Sequence, residues 1–291
     1  MDQKIINLYD RFTHGGMTRR EFLDRLTELA GSAAAAVALL ALLQNDYAQA
    51  AIVADNDPRL ATERLAFDSP KGRINGYLAR ARAEGKRPVV LVVHENRGLN
   101  PHLEDVARRF AVEGYLGYAV DLLSLVGGTP ASEDAARELN AKMNQNDAVV
   151  ALVAAVSFLK SHSESTGKVG AVGFCSGGGM INRLAAASGE LDAAVAYYGS
   201  QIPADQVPGI KAPLLLHYAG NDERINAGIA AYEAALKANN KKYTIHMYPG
   251  VQHAFNNDTG AARYDKAAAE LAFGRTLAFF AENLGAPPKA A

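Results

Sequence analysis

From about residue 60 the chain alternates short β-like runs with stretches of helical period. ERLAFDS (63–69) and INGYLAR (74–80) flank the turn-prone PKG, a pattern that predicts an antiparallel hairpin. VVLVVH (89–94) is continuously apolar, as a strand covered on both faces must be. LEDVARRFAVEG reads as a helix ending near Gly114 and YLGYAVD as a strand. SEDAARELNAKM and DAVVALVAAVSFLKSH read as helices, and KVGAVGF as a strand. The alternation continues through the helix NRLAAAS, the strands DAAVAYYG and PLLLHYAG, the helix AGIAAYEAALKANN, the strand YTIHMYPG and a closing helix, KAAAELAFGRTLAFFAENL. This order predicts an α/β fold with a mostly parallel sheet.

The first 55 residues follow another pattern. Arg19 and Arg20 precede Phe22 and Leu23, an uncharged Ala/Leu run extends from Ala30 to Leu43, and Ala48, Gln49 and Ala50 come after it. That sequence of regions resembles a twin-arginine export signal and implies a periplasmic protein. The run is shorter than the roughly 20 residues a membrane-spanning helix needs. The alternative is a pair of retained helices in a cytoplasmic protein, with Tyr9, Phe12, Phe22, Leu23, Leu26 and Leu29 forming an apolar face against a core or a second subunit. The division is therefore an extension over 1–55, a catalytic domain over 56–285 and a short tail over 286–291. The sequence leaves open whether the protein forms a homodimer.

Composition narrows the function. A net charge of −1 removes any global pull toward nucleic acid or an anionic membrane, and 49% hydrophobic residues supply a substantial core. A single cysteine excludes an internal disulfide, and no Cys/His spacing marks a zinc site. That cysteine, Cys175, stands where a strand should end and a helix begin, and open α/β sheets bind ligands at the carboxyl ends of their strands. In Gly173-Phe174-Cys175-Ser176-Gly177 the glycines flank it at two residues on either side, the spacing of the α/β-hydrolase nucleophile elbow. So tight a turn needs unhindered neighbours, and Gly178 and Gly179 let the following helix approach closely. A buried structural cysteine is the plainer alternative. A phosphate-binding loop would need a glycine at 175.

A thiol nucleophile needs a base and an acid that orients it, and in this fold they follow in the order acid, histidine. Asp222 comes directly after PLLLHYAG, with Glu223 beside it as a competitor, and His253 follows YTIHMYPG. Both would stand at the sheet edge that carries Cys175. A turn or helix cap for Asp222 and a surface position for His253 are the alternatives. Glu95 and Arg97 follow the early strand at the same edge, where they could act on the thiol and on substrate or simply pair with each other. The backbone N–H groups of Asn96 and Ser176 are placed to form an oxyanion hole.

GFCSGGG, AGNDERI, YPGVQHAF and VVHENRGLN together resemble the dienelactone hydrolase family of α/β-hydrolases, over roughly residues 60 to 285. The resemblance implies an α/β-hydrolase fold and hydrolysis of small esters or lactones through a thioacyl-enzyme. Cys175 would be the nucleophile, His253 the base, Asp222 its partner, and Glu95 a carboxylate that contacts the resting thiol and helps deprotonate it. Neither metal nor organic cofactor is expected. Lactone-hydrolysing members bind a substrate carboxylate with arginines, one of them four residues after the histidine; here that residue is Asn257, so Arg97, Arg137 or Arg224 would have to substitute. A non-catalytic ligand-binding protein on the same fold is the alternative function. A dinucleotide-binding enzyme ranks last, because HENRGLN stands where its glycine-rich turn would be.

Overall fold

The computed structural model describes residues 1–47 and 51–291; Ala48, Gln49 and Ala50, read above as part of an export signal, lie outside them. The N-terminal segment forms α1 (Gln3–Thr13), α2 (Arg19–Ala30) and α3 (Ala33–Leu43). Three strands follow, β1 (Leu60–Arg64), β2 (Phe67–Ser69) and β3 (Gly72–Ala81). After them come β4 (Arg87–Val93), α4 (Pro101–Val112), β5 (Leu116–Asp121), α5 (Glu133–Lys142) and α6 (Gln145–Lys160). The rest alternates: β6 (Ser165–Phe174), α7 (Ser176–Ala187), β7 (Ala193–Tyr197), β8 (Leu214–Asn221), the short α8 (Glu223–Asn226), α9 (Ile229–Ala238), β9 (Tyr243–Gln252) and α10 (Lys266–Leu284).

The strands lie in the order β1-β3-β5-β4-β6-β7-β8-β9, with β2 also paired to β3. Pairing is antiparallel among β1, β2, β3 and β5, and parallel from β5 through β4 to β9. This is the α/β-hydrolase arrangement. Along β4 the continuous apolar run resolves into two faces. Val89, Leu91 and Val93 pack with α6, α7 and α9 on one side, and Val90 and Val92 pack with α4 and α10 on the other. Because β4, β6, β8 and β9 run parallel, the residues just beyond each strand emerge along one edge of the sheet, and every candidate side chain named above as catalytic is on such a loop.

The turn after β6 is the tightest part of that edge. Cys175 has φ 55° and ψ −116°, outside the regions an L-residue favours. Its backbone is tied on both sides: its N–H donates to Tyr197 O at 3.0 Å and its carbonyl accepts from Gly179 N at 3.1 Å. At Gly177 an added Cβ would stand 2.4 Å from His94 O and 2.5 Å from Val93 O, both backbone atoms that cannot swing away. Gly177→Ala should therefore destabilise the fold by roughly 1–3 kcal/mol through overpacking. Urea unfolding tests this, and a midpoint equal to wild type would mean that β4 and α7 can separate freely.

The extension packs onto the catalytic domain with a small core of its own, Ile5, Leu8, Tyr9, Phe22, Leu26, Ala36 and Leu43. Thr18 and Glu21 form a reciprocal capping box at the start of α2. Of the apolar face expected from the sequence, Phe12 stacks on Phe22 with centroids 4.5 Å apart, whereas Leu29 points outward. No single helix among the described residues is long and apolar enough to cross a membrane, and α2 and α3 meet at a bend of 112°. Polar ties join the extension to the domain: Arg19 pairs with Asp134, Gln3 and Gln252 exchange hydrogen bonds of 2.8 and 2.6 Å, and Asn96 Nδ2 donates to Thr13 O at 2.7 Å.

Candidate active site

Cys175 stands after β6, Asp222 after β8 and His253 after β9; Cys175 and His253 line one cavity, and Asp222 is paired with His253. His253 Nδ1 lies 2.5 Å from Asp222 Oδ2, and both side chains are buried. Asp222 also caps α8, its Oδ1 accepting from Ile225 N at 3.3 Å, which fixes the carboxylate in place. Its neighbour Glu223 lies within α8. Ala254 (φ 67°) and Tyr198 (φ 40°) join Cys175 as strained non-glycine residues around this cleft. Such sparsely populated backbone conformations persist only where the surrounding structure holds them, and they cluster at active sites.

The thiol has a partner that the sequence did not suggest. His14, just beyond α1, shares a hydrogen bond of 3.1 Å between its Nε2 and Cys175 Sγ. Its Nδ1 faces Asp10, at 2.8 Å from the carbonyl and 3.1 Å from Oδ1. One coordinating atom from each of His14, Cys175 and His253 lies within 4.8 Å of the others, so these are the described residues whose donor atoms are close enough to share a metal ion. A cavity of about 180 Å³ opens beside the sulfur and is lined by Ser176, Met180, Arg183, Tyr198 and Arg224.

Over residues 74–284 the sequence matches the model of the dienelactone hydrolase family. The chain belongs to the dienelactone hydrolase family. A solved structure of a provisionally assigned dienelactone hydrolase from Klebsiella pneumoniae subsp. pneumoniae MGH 78578 superposes with a TM-score of 0.70 at 30% identity, covering 77% of this chain and 99% of that one. A provisional carboxymethylenebutenolidase of Escherichia coli (strain K12) is 31% identical over 80% of this chain and 92% of its own length. A provisionally assigned hydrolase fragment of the same organism, YghX, is 48% identical over 38% of this chain and 96% of its own length. Residues 1–31 separately match a family described as YqhI-like. This dienelactone hydrolase family member is thus a carboxylic ester hydrolase of small esters or lactones.

The surroundings of the cleft differ from what the resemblance implies. Glu95 is buried, but its Oε2 accepts from Asn257 Nδ2 at 3.0 Å and faces Arg97 Nη1 at 3.8 Å; the hydrogen bond to the thiol comes from His14 instead. Burial pushes the Glu95 carboxyl up, but the charges of Arg97, His102 and Arg263 outweigh it and hold the group below its ordinary range. Arg97 is itself buried, with Nε 3.1 Å from Glu133 Oε2 and Nη2 donating to Tyr9 OH at 3.1 Å, so its guanidinium is turned toward protein. Arg137 pairs with Asp134 and lies over the Phe12 ring at 4.3 Å. Only Arg224, of the three arginines named from the sequence, lines the cavity, together with Arg183. Asn96, on the loop after β4, and Ser176, the first residue of α7, each line a cavity with Cys175.

Burial alone would push the Cys175 thiol up, yet the charges of His14 and His253 bring it down to about 6. His253 responds in kind: burial opposes its charge, but Cys175 and Asp222 raise it to about 10. The thiolate form is therefore present above pH 6 and lost below it. Iodoacetamide alkylation of Cys175 should rise with a midpoint near pH 6, well below the ordinary thiol value of about 8.5. A midpoint at the ordinary value would mean that the imidazoles do not hold the thiolate.

Proposed function

We propose that Cys175 attacks the carbonyl of a small ester or lactone and that the reaction passes through a thioacyl-enzyme. The observation that carries this reading is the His253–Asp222 contact of 2.5 Å beside a thiol held on a strained strand-to-helix turn. The sulfur forms a C–S bond while the carbonyl electron pair moves to oxygen, where the N–H groups of Asn96 and Ser176 receive it. Collapse breaks the C–O bond, and the leaving oxygen takes a proton from His253. Water then gives a proton to His253 and attacks the thioester; the C–S bond breaks and the thiolate returns. Asp222 keeps the imidazole oriented through both halves. Residues of this chain supply every group the scheme uses.

Arg183 and Arg224 at the cavity favour an acyl group that carries negative charge, since a guanidinium can grip a carboxylate through two hydrogen bonds. The position of α1 and His14 at the cleft favours retention of the extension over its removal as an export signal. The test is intact-protein mass spectrometry after mixing with an activated short-chain ester. A transient adduct on Cys175 is expected; ligand binding with no adduct would support a non-catalytic role.

A further inference from the structure

The extension puts a second histidine on the sulfur, and that histidine has its own carboxylate. Asp10, His14 and Cys175 follow the order of Asp222, His253 and Cys175: a carboxylate oxygen lies 3.1 Å from Nδ1, which also shares a hydrogen bond of 2.8 Å with the Asp10 carbonyl, and Nε2 lies 3.1 Å from Sγ. The two imidazole rings meet edge to face, with centroids 5.0 Å apart, so neither displaces the other. Asp10 is further fixed by Arg224 Nε at 3.5 Å, and the turn that carries His14 is held by Asn96 through Thr13 O. The cavity beside the sulfur remains lined by both histidines, which leaves space for a substrate with His14 in place.

We propose that Asp10 and His14 form a second acid–base dyad on Cys175, so that the N-terminal extension contributes a catalytic residue. The proposal rests on the reading of Cys175 as the attacking group. His14 Nε2 takes the thiol proton: the S–H bond breaks, an N–H bond forms, and the electron pair stays on sulfur. His14 then keeps that proton through the cycle as the countercharge of the thiolate, balanced by Asp10. His253, protonated from solvent and balanced by Asp222, gives its proton to the leaving alcohol and recovers one from water. The site thereby rests as a thiolate and needs no substrate to activate it, the task that the resemblance would give to Glu95.

The experiment compares full-length wild type, His14→Gln and Asp10→Asn by hydrolysis of a short acyl ester and by iodoacetamide alkylation at neutral pH. His14→Gln is expected to lower kcat/KM by about 10²-fold, through loss of the group that takes up and holds the thiol proton, and to slow alkylation; Asp10→Asn should do both to a smaller extent. Free imidazole should restore part of the activity of His14→Gly, which a purely structural histidine would not allow. If His14→Gln does not fold, Asp10→Asn and the wild-type alkylation profile decide. Unchanged or raised kcat/KM in His14→Gln would overturn the proposal and make α1 a cover over the cleft. Loss without imidazole rescue would assign His14 a packing role. Zinc bound by purified wild type and lost in His14→Gln would replace the dyad with a metal centre. Full esterase activity in Cys175→Ala would instead defeat the underlying thiol reading.

Discussion

Cys175→Ala is expected to reduce hydrolysis of short acyl esters by about 10⁴-fold or more, because it deletes the sulfur on which the proposed thioacyl route depends. What survives would come from binding and from the oxyanion amides alone. Stability should change little in comparison. The side chain is small and buried, and a methyl group retains most of its packing. Alanine also keeps the same backbone, so the turn at φ 55° stays equally strained. Steady-state kinetics together with urea unfolding separate the two effects. Activity within tenfold of wild type would leave the elbow without a chemical purpose, and loss accompanied by unfolding would say nothing of chemistry specific to sulfur.

Asp222→Asn tests the other end of the relay, with an expected loss in kcat of about 10³- to 10⁴-fold. The carboxylate accepts a hydrogen bond from Nδ1 at 2.5 Å, which leaves Nε2 free to receive a proton. An asparagine can instead point its NH₂ at Nδ1, which would place the ring proton on Nε2 and remove the base that water needs in the second half-reaction. The cap on α8 survives in part, since an amide oxygen still accepts from Ile225 N. Glu223→Gln is the control that discriminates between the two adjacent acids, and it should cost less than tenfold. A reversed pattern would move the orienting role to Glu223.

The centre of the sheet was legible because its strands are buried on both faces, and buried strands announce themselves as unbroken apolar runs. VVLVVH and PLLLHYAG became β4 and β8 to within one residue at most boundaries. Local pattern failed where tertiary contact decides. The helix read from Asn182 begins at Ser176, since three glycines have little helical propensity and only the turn at Cys175 and the close approach to β4 select that conformation. ERLAFDS is interrupted between Arg64 and Phe67, yet the pairing with β3 continues through the break in the same register. The positions of Cys175, Asp222 and His253 at one sheet edge were readable because each directly follows a strand and parallel strands end together. The direction of Glu95 could not, because the pull of Arg97 and Asn257 is a property of the assembled site. His14 carries no such mark in the sequence, because it lies in the N-terminal extension, 161 residues from Cys175, and follows no strand. The one local hint was Asp10 four residues before it, and an i,i+4 acid–histidine pair is too common on helices to single out.

The anchoring of α1 has a practical corollary. Any trimming at the front of the polypeptide, whether by a processing peptidase or by a cloning decision that begins at the first strand, takes Asp10 and His14 away along with Tyr9, the hydroxyl against which Arg97 is held. The sulfur of such a shortened chain would lose its hydrogen-bond partner and Arg97 one of its own.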